Sequence, residues 1–273
     1  MNAHPTEIEK AFLKAADALG ITPEWDKPLI ALLKRRDAAQ ALADMKPRDA
    51  AAELTAAPNP RQWDSILGEI AAHNLKVAEA KAAIRNGGVL ATTHALLGRA
   101  LTTFLPTYTD QAYERVSGVL ASITDTAGHV ASLNAETAVR NGYGDSLTQL
   151  HQLAMKVRAH TAIGTTVAPA GKVAQAARAL SLITNPGRID PIKKTPASRW
   201  NQGGETRSNP ADLARRDEAR RLMTDWHRDE VDTLRKLARG EYAGFQLSAA
   251  TAEDYAHRVT QFENADRIEV VAD

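Results

Sequence analysis

The chain of 273 residues contains no cysteine and only 4 phenylalanines. Without sulfur it cannot build a disulfide scaffold, a thiolate metal site, an iron–sulfur cluster or a cysteine nucleophile. No sign of charge dominates either. Lys and Arg total 34 against 33 Asp and Glu, a net charge of +1, so no global field selects an acidic or a basic partner. Long apolar runs are missing as well: the longest aliphatic stretch is Leu29-Ile30-Ala31-Leu32-Leu33, whereas a membrane-spanning helix needs roughly 20 apolar residues. The amino terminus turns acidic at Glu7 and lacks the basic-then-apolar order of a secretory signal. These absences point to no membrane partner and to a cytoplasmic protein, or one held within an assembled particle if the chain is phage-derived.

What the chain has is alanine, 51 residues of it. Alanine is the best helix former and Leu, Arg, Lys, Gln and Glu follow it closely, while strand formers are sparse. The expected fold is mostly α: a helical bundle or elongated helical body, an extended linker, then a charged C-terminal helix, with little or no β. The spacing of Ile8, Phe12, Ala15, Ala16 and Leu19 predicts a helix from Pro5 to Leu19, stopped by Gly20. Pro28 suits the first turn of a second helix, and Pro47 can open a short third. Asn59-Pro60 reads as a cap followed by a first-turn proline, starting a helix that runs to about Arg85 before Asn86-Gly87-Gly88. Next come a helix over about 90–104 closed by Pro106, one over about 109–140, one through about Ala162, and one near 171–182. The two Arg-Asn-Gly helix stops, at 85–87 and 140–142, do not make a repeat, because the core positions around them do not align.

From Thr184 to Pro210 the texture changes. Asn185-Pro186-Gly187, Asp190-Pro191, Thr195-Pro196, Gly203-Gly204 and Asn209-Pro210 interrupt regular structure. The expected organisation is therefore a helical body over 1–183, a Pro/Gly-containing basic linker or binding arm over 184–210, and a charged helix with a short terminal helix and tail over 211–273. The segment from Ala211 to Arg239 pairs opposite charges at helical neighbour spacing and carries a thin apolar stripe. Leu213, Ala219, Met223, Trp226, Val231 and Leu234 on that stripe are the expected protein interface. The tail at Arg267–Val271 could be a short strand, although it cannot form a sheet alone.

Chemistry-bearing motifs are few. Thr166–Val173 ends like a phosphate-binding loop, but Thr166 stands where glycine is required, Val173 where Ser or Thr would hold magnesium, and no buried strand precedes it. Asp125 with His129, and His227 with Asp229 and Glu230, are fragments of a metal or proton-transfer site and complete neither. His94, His151 and His160 read as surface or hydrogen-bonded core residues. No Gly-x-Ser-x-Gly elbow or His-Arg-Asp sequence occurs. The expectation is no catalytic residue, no cofactor and no metal, with the enzyme question leaning towards no. Two binding readings stand. The first is a non-enzymatic helical assembly or protein-interaction component, of the character of bacteriophage structural and assembly proteins, whose partner is itself or another assembly member. The second is a nucleic-acid-associated protein, in which Arg188, Lys193, Lys194, Arg199 and Arg207 pair with phosphates around a stacking Trp200, helped by Arg215-Arg216 and Arg220-Arg221. A helical enzyme without a recognisable motif is a third class.

Overall fold

The computed structural model describes residues 5–56, 59–86, 88–167, 177–184, 188–194 and 208–270. The protein is mostly helical with a packed helical core. By its contacts the chain divides into one unit of Met1–Glu24 with Thr102–Asp273 and a second of Trp25–Leu101, where the sequence reading places its boundaries at 184 and 210.

In the first unit, α1 (Pro5–Leu19) packs chiefly on α7 (Gly144–Val167). Its buried residues are those of the expected stripe, Ile8, Phe12, Ala15, Ala16 and Leu19. Gly20, at φ 66°, ends the helix, with its N–H on the Asp17 carbonyl and the Ile21 N–H on that of Ala16. Phe12 reaches two rings of α5 (Val89–His129): Phe104 at 5.8 Å and Tyr108 at 5.1 Å, the latter edge-on at 80°.

Helix α5 corrects the expectation of a break at Pro106. Proline removes one backbone donor and costs about 3 kcal/mol inside a helix. Pro106 is exposed, so its ring leaves untouched the inward stripe Phe104, Tyr108, Ala112, Val116, Leu120 and Ile123. Several buried side chains at about 1.5–3 kcal/mol each outweigh one lost hydrogen bond. The helix stops at His129 instead, and α6 (Ala135–Arg140) starts afresh where the Asn134 side chain accepts the Thr137 N–H at 2.9 Å.

The carboxyl-terminal third belongs to the same unit. The expected helix over 211–239 is two: α8 (Pro210–Arg228), capped by Asn209, and α9 (Glu230–Ala238). Asp229, in extended conformation at φ −156°, breaks them and accepts the Asp232 N–H at 3.0 Å. α10 (Ala252–Asn264) opens with a capping box between Thr251 and Asp254. Two small pairings tie in the extended pieces. β1 (Ile183–Thr184) lies antiparallel to β3 (Gln246–Leu247), and β2 (Ile192–Lys194) parallel to β4 (Ile268–Val270), with Ile192 opposite Ile268 and Lys193 opposite Glu269. The tail is thus a strand, and the segment read as a linker supplies its partner. Arg258 donates from one Nη to the carbonyls of Ser181 at 3.2 Å and Ser248 at 2.7 Å, holding the first pairing to α10.

In the second unit, α2 (Lys27–Asp44) and α3 (Ala50–Ala56) both pack on α4 (Trp63–Asn86). Asn74 of α4 clamps the turn between the first two: it accepts the Arg48 N–H at 2.7 Å and donates to the Arg48 carbonyl at 3.1 Å. Burial is thin here. α2 buries only Leu29 and Ala39, and α3 buries nothing.

Candidate functional site

The apolar stripe expected to meet another chain is largely consumed within this one. Ala219, Met223, Trp226 and Leu234 are buried, and Leu213 and Val231 are half-buried. On the polar flank of α8 the segment beyond α9 folds back: the Tyr242 hydroxyl donates to Asp225 at 2.8 Å, the Ala243 N–H donates to Glu218 at 3.1 Å, and Arg221 sits 5.0 Å from the Tyr242 ring centre. Leu213 and Val231 keep part of the seam open.

Arg216 departs furthest from the sequence pattern. Spacing pairs it with Asp212 on a solvated face, yet it is 1 % exposed, and its Nε donates to the Ala265 carbonyl. Asp212 lies instead 3.4 Å from Arg215. Neither Nη of Arg216 has a hydrogen-bond partner. Burial lowers its pKa first and Arg220 lowers it further, against the opposing pull of Asp266 and Asp217.

Of the basic arm, Arg188, Lys193 and Lys194 are placed, while Arg199, Trp200 and Arg207 lie outside the described residues. The structure brings the arm to the Arg-rich helix: Arg215 donates from Nη1 to the Arg188 carbonyl at 3.1 Å. Beside this junction is an open cleft of about 480 Å3, lined by Arg188, Asp190, Lys193, Asn264, Arg267 and Glu269 among others. Arg267 is a member that sequence reading missed, because only the pairing of β2 with β4 carries it across. The cleft's frame is fixed by one backbone bond, Ile192 N–H to the Arg267 carbonyl at 2.9 Å, and two side-chain bonds to backbone, Asn264 Nδ2 to the Ile189 carbonyl at 3.2 Å and Lys193 N–H to Ser208 Oγ at 3.1 Å.

The other ionisable groups of interest are dispersed. His129, His151 and His227 are exposed, His94 is half-buried, and among the described residues no three metal-ligating side chains converge. The phosphate-loop-like segment runs from the end of α7 out of the described residues. His160 lies inside the body, its ring stacked on Tyr108 at 6.1 Å with 28° between the planes, and its Nδ1 without a hydrogen-bond partner. Burial drops its pKa to about 4 and lifts that of Tyr108. Glu230, at the start of α9, is pushed up to about 6 by burial, against the pull of Arg158 at 3.8 Å.

The second unit offers a different surface. Trp63 and Leu67, one turn apart on α4, are 41 % and 42 % exposed, and Leu75 is 60 % exposed. Leu42 of α2 and Leu96 of α5 are exposed too. Comparison of the chain with protein-family models, with curated proteins and with solved structures matched none of them.

Proposed function

We propose that the protein is a non-enzymatic helical assembly component that associates through residues 25–101 with a second copy of itself. The observation that carries the reading is the pair Trp63 and Leu67, large apolar side chains left open one turn apart on α4, while that helix buries Ile70, Val77 and Ile84. Full burial of a large apolar side chain is worth about 1.5–3 kcal/mol, of which these two, 41 % and 42 % exposed, have somewhat under half left to gain, and exposed apolar surface of this sort is a recurrent mark of interaction sites. A second copy suits it: a net charge of +1 raises no long-range repulsion between like chains, and a twofold pairing places the same α4 face on both sides. The seam of α8, first expected to meet a partner, is filled from within, which moves the proposed interface to the second unit. A structural or assembly role of bacteriophage type rests on the same helical architecture. The test is W63E/L67E: the doubly substituted chain should keep wild-type helicity by circular dichroism and sediment as a monomer where wild type sediments as a larger species. Equal sedimentation of the two would sink the reading.

A further inference from the structure

The cleft at the β2–β4 pairing collects cations from three places in the chain: Arg188 before β2, Lys193 within it, and Arg267 before β4. Its two carboxylates are already engaged. Asp190 accepts from Arg188 Nε at 2.6 Å, and Glu269, the register partner of Lys193, lies 3.6 Å from Arg267. Lys193 has no ion-pair partner among the described residues. Each guanidinium retains donors beyond its single carboxylate contact, since it carries five N–H groups.

A second, independent observation adds to this. The buried Arg216 guanidinium, bonded to the Ala265 carbonyl next to Asn264 of the cleft wall, leaves both Nη atoms without acceptors. Asp217 and Asp266 lie near enough to favour its charge, but Asp266 is itself bonded to Arg220 at 2.8 Å. A charge buried in protein is weakly screened, so its field extends to the neighbouring surface.

We propose that this cleft binds a phosphate group, with Lys193 as the point charge and Arg188 and Arg267 as the hydrogen-bonding forks. At about 480 Å3 the cleft exceeds one phosphate and admits a nucleotide-sized ligand. The phosphate comes either from a free phosphorylated molecule or from the backbone of single-stranded nucleic acid, and the chemistry of recognition is the same. The site is independent of self-association through α4, so either can fail without the other.

The experiment uses the full chain and three probes: inorganic phosphate, adenosine monophosphate and a short oligodeoxythymidylate, each titrated calorimetrically. K193Q and R267Q alter exposed side chains of the cleft, and K156Q, on the exposed side of α7, is the control. Phosphate affinity should fall about tenfold or more in K193Q and R267Q, a loss of about 1.4 kcal/mol, and stay unchanged in K156Q. Oligonucleotide binding that falls in parallel and weakens with salt assigns the ligand to a nucleic-acid backbone. Binding of the monophosphate without the oligonucleotide assigns it to a free phosphorylated molecule. Wild-type protein that binds none of the probes at millimolar concentration, or K193Q that binds as wild type does, overturns the proposal, as does an equal loss in K156Q.

Discussion

The Nε of Arg216 donates to the carbonyl of Ala265, joining the middle of α8 to the end of α10 from inside the molecule. The bond uses one of five guanidinium N–H groups and leaves the Nη atoms unpartnered in a side chain that is 1 % exposed. A buried charge without a close counter-ion is costly, and replacing such groups by apolar ones of similar length is often neutral or better. Arg216→Met should therefore keep stability within about 1 kcal/mol of wild type. Arg216→Ala, which also leaves a cavity, should lose about 3 kcal/mol. Urea unfolding midpoints check both; equal losses would show that the Nε bond, and not the length of the side chain, holds the two helices.

The pair His160 and Glu230 gives stability an uneven pH dependence. His160 is held near pKa 4 in the fold against 6.5 when free, so the unfolded chain binds its proton first as pH falls. Its contribution is fully present above pH 6.5 and is lost between 6.5 and 4, to a total of about 3 kcal/mol. Glu230 runs the other way: raised to about 6 from 4.5, its contribution is complete below pH 4.5 and disappears as pH rises through 6, about 2 kcal/mol in all. The two partly cancel from 4.5 to 6. Urea midpoints across pH 4 to 7 should fall more steeply on acidification in Glu230→Gln than in wild type, and less steeply in His160→Phe. Unchanged slopes would contradict the burial of both groups.

Gly164 on α7 faces the Tyr255 ring of α10 at close range. A methyl group built on Gly164 would overlap the Tyr255 hydroxyl oxygen and come 3.3 Å from Cζ. That hydroxyl is buried without a partner, and burial lifts its pKa to about 12. Gly164→Ala should cost about 1–3 kcal/mol through overpacking. Tyr255→Phe should be neutral or mildly stabilising, because it removes an unsatisfied buried hydroxyl, and in combination it should recover most of the alanine loss. Thermal melts of the three proteins decide it: an additive double substitution would mean that the two residues do not meet.

Deleting residues 211–273 removes β3 and β4, the partners of β1 and β2. It also uncovers residues such as Leu182, Ile183 and Ile189, which are buried in the whole chain. The truncated chain should lose its cooperative thermal transition. A sharp transition near that of the full chain would restore the boundary that the Pro/Gly-rich stretch suggests.

That stretch shows what the sequence made legible and what it did not. The helical class, α1 with its inward stripe and the start of α4 could be read directly, because alanine content, apolar spacing and capping are local signals. The continuity of α5 could not, since it depends on Pro106 facing outward over a stripe held by Phe12 and the rest of the core. Arg216 was read as a surface ion-pair partner because charge spacing is blind to which face of a helix is covered. The same blindness left Met223 and Trp226 free for another chain, when both are buried within this one. Of the cleft, Arg188 and Lys193 were visible as a basic cluster, but Arg267 joins them only through a parallel pairing across more than seventy residues.

Self-association through α4 of the second unit is the property on which the proposed assembly role turns. Molar mass by light scattering, measured over a series of protein concentrations at low and high salt, addresses it most directly. The wild-type mass should rise with concentration to at least twice the chain mass of 29.5 kDa, with little sensitivity to salt because the contact is apolar, and W63E/L67E should stay at the chain mass throughout. A wild-type chain that remains monomeric at every concentration would contradict it.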